Sequence, residues 1–199
     1  MKYIMMVFFV IIFSGCVTTK IPAKSEYRIN TNIKMTKSEA TGCKEKSLKV
    51  AQAFSSGTLM SNSMMYAKGD LKQYAYAESL WAQSPNSVIT SKFLKLIRET
   101  NLFKSVQVSK SRSRNDFILE INIEDFMQYF NASATHSHAN VSVNLTLIDI
   151  KSNRVFASHS FEAKVDAKSL NAQGGVEALN TALNKILNDT NTWISGACK

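Results

Sequence analysis

The stretch FILEINIE at residues 117–124 decides the fold class, because every second side chain along it, starting with Phe117, is apolar. A period of two is typical of a β-strand that buries one face. The same alternation recurs at residues 141–147 and 155–165, and the turn-forming run Lys151-Ser152-Asn153 lies between these two stretches. We therefore predict long antiparallel strands with one face in the core.

Shorter strands are predicted upstream. Residues 48–54 and 62–67 are strand-like, Gly69-Asp70 has the composition of a turn, and residues 71–81 continue from it. Val106 and Val108 alternate with polar residues in the same way. Together with the long stretches they predict a sheet of about six strands.

Two segments have the helical period instead. Ser84-Pro85 is typical of a helix start, and residues 89–97 place apolar side chains on one helix face. A second amphipathic segment spans residues 175–195, with its apolar face formed by Val176, Leu179, Leu183, Ile186, Leu187 and Ile194. The expected fold class is α+β: a mostly antiparallel sheet with two amphipathic helices packed on one face, an α/β sandwich.

The composition is that of a folded domain. The chain has 199 residues, 45% of them hydrophobic, and a formal net charge of +9. This length suits one domain. With only 2 Pro and 7 Gly, collagen-like and low-complexity chains are excluded.

The first sixteen residues resemble a bacterial lipoprotein signal. The uninterrupted apolar run at residues 4–13 is too short to span a bilayer, and small residues precede Cys16. The tetrad Phe13-Ser14-Gly15-Cys16 resembles the lipobox, in which the cysteine is acylated after cleavage. We predict a signal peptide at residues 1–15 and fatty acyl chains, palmitate among them, on Cys16. The alternative is a secretory signal with an unmodified cysteine.

The anchor predicts where the protein resides. Cys16 and a flexible tether occupy residues 16–26, and the domain follows at residues 27–199. Val17 after the cysteine resembles the sorting signal for the outer membrane, so we expect the domain on the periplasmic face of that membrane, with the inner membrane as the alternative. Several acyl chains anchor far more firmly than one.

Positive charge is concentrated near the predicted anchor in the sequence. Residues 17–50 contain eight Lys or Arg against three Glu. Nucleic acid is excluded as a partner by the expected compartment. Weak attraction to anionic phospholipid head groups and a merely solvated basic segment both remain open.

The sequence has three cysteines, and acylation of Cys16 leaves two of them. Cys43 precedes the first core strand, and Cys198 lies near the end of the sequence. In an oxidising compartment such a pair favours a disulfide. Free or intermolecular thiols are the alternative.

No strong enzyme signature is present. The sequence contains no nucleophile elbow, zinc-protease helix, phosphate loop or dinucleotide fingerprint. Two weaker arrangements are compatible with the sequence, a three-imidazole metal site and paired carboxylates on a half-buried strand. We expect neither, and therefore predict no enzyme activity, no metal and no cofactor. The residues concerned are His136, His138, His159, Glu120, Glu124 and Asp125.

The sequence resembles the ABC-type transport auxiliary lipoprotein family, which includes the lipoprotein of the Pqi system and similar companions of MCE-type lipid transporters. The resemblance extends from Tyr27 to Ile194 and centres on a Y-A-x(5)-W-A-x-x-P core at residues 74–85. Further matching positions are Met65-Tyr66-Ala67, Leu71, Phe103, Val106, Asp116–Phe126, Phe161 and Trp193.

This resemblance implies a non-enzymatic outer-membrane lipoprotein that works with an inner-membrane permease, an ATPase and a periplasmic MCE-type protein. Docking on a ring or tube would favour a cyclic homo-oligomer. Trp81 and the nearby Tyr66, Tyr74 and Tyr76 are candidate interface anchors, because large amphipathic rings dominate binding energies. Ordinary core or capping roles are the alternative for these four rings.

Two other functions remain open. A lipid-binding carrier would enclose an acyl chain between sheet and helices, whereas the large alternating Val, Leu and Ile side chains suit a filled core. An envelope-assembly lipoprotein of the lipopolysaccharide-export type would share the anchor and the layered fold.

Overall fold

The computed structural model describes residues 23–32 and 39–199, so the predicted signal peptide and Cys16 lie outside the described residues. Within the described part, nine strands, a 3-10 helix at Gly57–Met60 and two α-helices form the fold. The strands are β1 (Ser25–Tyr27), β2 (Ser47–Val50), β3 (Phe54–Ser55), β4 (Ser63–Lys68), β5 (Lys72–Trp81), β6 (Ser105–Val108), β7 (Phe117–Phe130), β8 (Ser137–Asp149) and β9 (Arg154–Asp166). The helices are α1 (Pro85–Thr100) and α2 (Ala172–Ala197).

The three long strands form an antiparallel meander, as the alternating stretches predict. β7 pairs with β8 over its whole length, from Phe117 opposite Asp149 to Phe130 opposite Ser137. β8 pairs in turn with β9. The β8–β9 turn contains Asn153 with φ 53°, a left-handed conformation that asparagine tolerates well.

The prediction of a mostly antiparallel sheet is wrong, because five of the eight strand pairings are parallel and the sheet is mixed. β2, β3 and β4 lie one after another along the second edge of β7, and all run in its direction. Alternation in a sequence tells which face of a sheet a side chain occupies. It does not tell the direction of the neighbouring strand.

β7 is longer than the segment that the alternation predicts, and it contains a bulge. The pairing with β8 shifts between Ile123 and Asp125, and the buried side chains change there from odd-numbered to even-numbered positions. Ile123 is buried before the bulge and Phe126 after it. An extra residue in one strand has this effect, since it reverses the alternation.

The two helices cover one face of the sheet. Pro85 begins α1, where its missing N–H costs nothing, although the side chain of the preceding Ser84 makes no cap hydrogen bond. Asn101 ends the helix in a left-handed conformation. The Asn171 side chain caps α2 by accepting from the Gly174 amide at 2.9 Å. All six predicted apolar residues of α2 are buried. The helices contact each other and the buried side of β7.

A close approach joins α2 to the sheet. A side chain at Gly175 would overlap the Gln128 side chain, which lies on the helix-covered face of β7 and is 1% exposed. Glycine is therefore required at this position for packing. Within residues 23–32 and 39–199, no helix is long and apolar enough to cross a bilayer.

Cys43 and Cys198 form a disulfide that ties the end of α2 to the segment before β2. The Gly42 amide donates to the Cys198 carbonyl at 2.8 Å, and a Cβ at Gly42 would lie 2.6 Å from that oxygen. Both cysteines are buried in the hydrophobic core. The segment before β2 and the end of α2 therefore meet at one place.

Candidate functional site

The tyrosines predicted as interface anchors form one aromatic group on the helix-covered face of the sheet, beside α2. Tyr66 lies opposite Tyr74 across the β4–β5 pair, with ring centroids 5.4 Å apart. Its ring is also 4.5 Å from Tyr76 and 5.5 Å from Phe130. Only Tyr74, 40% exposed, presents a large part of its surface to solvent.

Tyr76 belongs to a polar chain beneath these rings. Its hydroxyl donates to Gln128 Oε1 at 2.7 Å, and Gln128 Nε2 donates to Ser137 Oγ at 2.9 Å. Burial, with Tyr66 and Tyr27 nearby, raises the pKa of Tyr76 well above its usual range. Tyr76 therefore holds the buried glutamine in place and packs against Tyr66, the ring that also stacks on Tyr74.

Trp81 is not an exposed anchor. Its side chain is only 3% exposed, and its ring packs 5.7 Å from that of Phe126 in the core. Trp81 closes β5, whose final residues turn inward to the helix-covered core. Trp81 therefore packs in the core, which is the alternative role given for it above.

One end of the sheet, here called the tether end, comprises residues 68–74, 130–136 and 166–171. The Gly69 amide donates to the Phe130 carbonyl at 3.0 Å, and the Ala167 amide donates to the Ser137 carbonyl at 2.9 Å. These bonds bring together the β4–β5 turn, the β7–β8 turn and the loop before α2. Strand β1 runs parallel to β5, so the preceding chain enters from the direction of this end.

Exposed apolar side chains stand on the tether end. Leu71 is 97% exposed at the tip of the β4–β5 turn, and Leu170 is 49% exposed. Leu71, Tyr74 and Ala132 line one open cleft of about 460 Å³ with Lys68 and Lys72. A second cleft of about 500 Å³ contains Ala23, Tyr76 and Leu170.

The opposite end of the sheet, here called the basic end, comprises residues 43–47, 104–116, 149–156 and 198–199. The Lys104 amide donates to the Lys46 carbonyl at 2.9 Å, and the Ile150 amide donates to the Asp116 carbonyl at 2.9 Å. The basic end has nine exposed cationic side chains and three acidic ones. The cationic residues are Lys44, Lys46, Lys104, Lys110, Arg112, Arg114, Lys151, Arg154 and Lys199, and the acidic residues are Glu45, Asp116 and Asp149.

The rest of the described chain is almost neutral, with eleven Lys or Arg against twelve Asp or Glu. The whole positive excess of the described residues therefore lies at the basic end. Local hydrogen bonds organise this surface. Lys49 Nζ donates to the carbonyls of Ser111 and Ser113 at 3.0 and 3.1 Å, which fixes the loop that carries Lys110, Arg112 and Arg114.

Two of the three carboxylates at the basic end are held by serines. Asp116 Oδ2 accepts from the amide and the hydroxyl of Ser47, both at 2.7 Å, and these bonds lower the pKa of Asp116. Asp149 Oδ1 accepts from the Ser152 amide at 2.8 Å, which lowers the pKa of Asp149. Both carboxylates are turned to the backbone of the domain itself.

Apolar side chains lie among the cations of the basic end. The pairing of β8 with β9 shifts between Leu147 and Ile148, so that the extra residue Phe156 lies over Phe117 with ring centroids 5.1 Å apart. Phe156 is 50% exposed and Val155 is 60% exposed. The predicted burial of Val155 is wrong, because the bulge reverses the alternation there.

The structure also separates charges that are close in sequence. Lys44 and Lys46, counted with the segment beside the predicted anchor, lie at the basic end and not near β1. Lys20, Lys34 and Lys37 lie outside the described residues. The closeness of these lysines to the predicted anchor in the sequence therefore does not predict their position in the fold, because β1 and β2 lie in different parts of the sheet.

The uncovered sheet face carries polar side chains. Asp125 Oδ2 accepts from the Tyr129 hydroxyl at 2.8 Å and from Asn140 Nδ2 at 2.9 Å, and burial raises the pKa of Asp125 despite these bonds. Glu124 accepts from the Ser142 hydroxyl at 2.8 Å, while Glu120 is exposed. These bonds connect neighbouring strands, and Asn140 Nδ2 also donates to Glu162 Oε1 at 3.2 Å, so the amide lies between the carboxylates of Asp125 and Glu162.

The three histidines do not converge. His136 Nε2 lies 3.2 Å from Asp166 Oδ1, His138 stacks on Tyr129, and His159 lies against Phe161 and Trp193. His138 occupies the uncovered face of the sheet, whereas His159 lies on the helix side, at its exposed margin. Among the described residues, no group of three His, Cys, Asp or Glu could hold a metal ion.

Comparisons with known proteins agree with this fold. The model of the family described as "ABC-type transport auxiliary lipoprotein component" matches residues 27–190. A crystal structure of a Xanthomonas campestris protein is similar, with 17% identity, a TM-score of 0.76, and coverage of 86% of this chain and 96% of that one. A further solved structure has 13% identity, a TM-score of 0.61, and coverage of 87% and 99%. A search of curated proteins finds no match.

Proposed function

Because the chain belongs to the family of ABC-type transport auxiliary lipoproteins, we propose that it is a non-enzymatic docking component of an MCE-type lipid transport system. In this proposal acylated Cys16 holds the domain on the periplasmic face of the outer membrane. The free part of the domain then binds the MCE-type periplasmic protein, which is served by a permease and an ATPase in the inner membrane.

The observation that supports the proposal is the difference in charge between the two ends of the domain. The chain from the anchor enters β1 from the tether end, whereas the net charge lies at the basic end. β7 connects the two ends with 14 residues, a length of roughly 40 Å. A domain that stands on its tether end therefore presents its charged end to the periplasm.

The tether end suits the neighbourhood of a bilayer. The seven Cα–Cα steps from Cys16 to Ala23 span at most about 25 Å, which keeps the acyl chains close to the domain. Leu71 is exposed between Lys68 and Lys72. Leucine and tyrosine favour the interfacial region, while lysine reaches anionic head groups with its ammonium group.

The core argues against the carrier alternative. The space between the sheet and the helices is filled by side chains that are fully buried. The cleft beside Leu71 and the cleft that contains Ala23, Tyr76 and Leu170 lie outside this core and open to solvent. The largest fully buried side chains are Phe93, Leu48, Ile89, Leu96, Ile97, Leu102, Leu119, Ile121, Ile123, Leu145, Leu147 and Leu183.

Repeated docking on a ring-shaped or tubular partner favours a cyclic homo-oligomer. The outer edge of β9, 13 residues long, pairs with no other described strand and offers backbone groups for such an assembly. Sedimentation velocity of the purified acylated protein in detergent tests this part of the proposal. A single monomeric species across the concentration range contradicts it.

Co-purification tests the proposed function. The acylated full chain, extracted from membranes with mild detergent, should carry an MCE-type protein with its permease and ATPase, and should carry radioactive palmitate. The Cys16→Ser variant should lose the label and leave the outer-membrane fraction. Recovery of abundant acylated protein without any MCE-type protein contradicts the docking function, and bound phospholipid in stoichiometric amount would support the carrier alternative.

A further inference from the structure

We propose that the basic end is a binding surface for an acidic protein partner, formed by the exposed cations of residues 110–114 and 151–154 together with the exposed ring of Phe156. This inference rests on the proposed function and deepens it, because it names the surface and the chemistry of the partner. The described residues outside the basic end carry eleven cations and twelve anions, so the charge of this one surface is not shared by the rest of the domain.

The local structure keeps this surface in one shape. Phe156 rests on Phe117, which is 4% exposed and belongs to the core. The loop with Arg112 and Arg114 is fixed by Lys49, whose ammonium group bonds two of its carbonyls. The disulfide at Cys198 ties the end of α2 to the same surface. A preorganised surface loses less entropy on binding.

The mixture of side chains suits a protein interface. An exposed ring on a rigid base can fill a pocket of a partner, and such aromatic residues carry much of the binding energy. The exposed cations of the same end accelerate association with an acidic surface and reject basic ones. Such charges act through solvent, and salt therefore weakens their effect.

An anionic membrane is the other surface that could attract these cations, and the position of the anchor argues against it. β1 runs away from the tether end, and Ala23 lies in one cleft with Leu170 of that end. The two ends are separated by roughly 40 Å along β7. A domain that contacts its own bilayer with Leu71 holds Phe156 away from that bilayer. The partner of the basic end is then a periplasmic protein.

Photo-crosslinking in cells tests the inference on the acylated full chain. The photoreactive residue p-benzoylphenylalanine replaces Phe156 in one strain and Leu71 in another, and mass spectrometry identifies the adducts. Position 156 should form an adduct with a protein through a peptide that is rich in Asp and Glu. Position 71 should give lipid adducts and not this protein.

Charge reversal supplies the matched control. The substitutions Lys110→Glu, Arg112→Glu and Arg114→Glu should lower the yield of the protein adduct at position 156 about tenfold. Three reversals at exposed cations outside both ends, Arg28→Glu, Lys164→Glu and Lys185→Glu, should leave that yield unchanged. In spheroplasts the yield should also fall as NaCl rises from about 0.05 to about 0.5 M.

The outcomes separate this inference from the proposed function. Adducts of position 156 with phospholipid or lipopolysaccharide only, no adduct at that position, or an adduct that survives charge reversal and salt would overturn the inference. An acidic partner that is not an MCE-type protein would uphold the inference and contradict the proposed function. An MCE-type protein crosslinked at position 71 and not at 156 would uphold the function and contradict the inference.

Discussion

The tether end and the basic end lie on the same sheet but are built differently. The tether end is formed by turns that hydrogen bonds hold together, and its most exposed large apolar side chain is Leu71. The basic end is closed by the Cys43–Cys198 disulfide and carries the whole positive excess of the described chain. In the proposed function a lipid anchor positions the first end, whereas the disulfide and the hydrogen bonds of the fold hold the second end in shape.

The largest expected effect is loss of the disulfide at the basic end. In the Cys43→Ser, Cys198→Ser double variant, the free energy of unfolding should fall by up to about 5 kcal/mol, because the bond closes a loop with a sequence separation of 155 residues. Urea unfolding followed by circular dichroism measures the change. Equal stability of the variant and the oxidised wild type would mean that the basic end does not depend on the bond.

A matched pair of glycine substitutions in α2 tests the packing of this helix against β7. Gly175→Ala should lower the free energy of unfolding by about 1–3 kcal/mol, because the new methyl group overlaps the Gln128 side chain. Gly196→Ala meets nothing within 4 Å and should raise it by about 0.5–1 kcal/mol through helix propensity. Thermal or urea unfolding separates the two, and equal shifts of the same sign would contradict the close approach.

The polar chain under the aromatic group gives a smaller effect. Tyr76→Phe removes the hydroxyl that Gln128 Oε1 accepts from, and should lower the free energy of unfolding by about 1–2 kcal/mol. Folding raises the pKa of Tyr76, so its contribution is complete below the unfolded value of about 10 and is lost as the pH rises above it. The loss of stability above pH about 10 should therefore be weaker in the variant than in the wild type.

The smallest expected effect is at Leu71. Because this side chain is 97% exposed, Leu71→Ser should change the free energy of unfolding by less than about 0.5 kcal/mol. At the basic end Val155→Ser, at a side chain 60% exposed, should behave alike. A substantially larger loss in either variant, measured by urea unfolding, would show that the side chain packs within the domain and is not kept apolar for an external contact.

The sequence was sufficient for the elements whose signal is local. The alternation of residues 117–124, the Ser84-Pro85 start of α1 and the apolar face of α2 all correspond to elements of the structure. Strand direction could not be obtained in this way, because alternation is the same for parallel and antiparallel neighbours. The reversed parity after Asp125 and at Phe156 also escaped prediction, since a bulge depends on the partner strand.

The candidate surfaces were less predictable than the fold. The tyrosines could be named from the sequence, but burial of Trp81 and of most of Tyr76 depends on the helices that cover them. The charge excess could be counted, yet its position could not. Lys44, Lys104, Arg112 and Lys151 are far apart in sequence, and only the sheet brings them to one end.

Depth-dependent fluorescence quenching tests the central claim, the opposite orientation of the two ends, most directly. A fluorophore is attached through Leu71→Cys or Phe156→Cys in the acylated protein, with the native disulfide intact, and the vesicles contain a quencher in the lipid. Strong quenching at position 71 and none at position 156 is the predicted result, given a separation of roughly 40 Å. Equal quenching at both positions, or quenching at position 156 alone, would contradict the account.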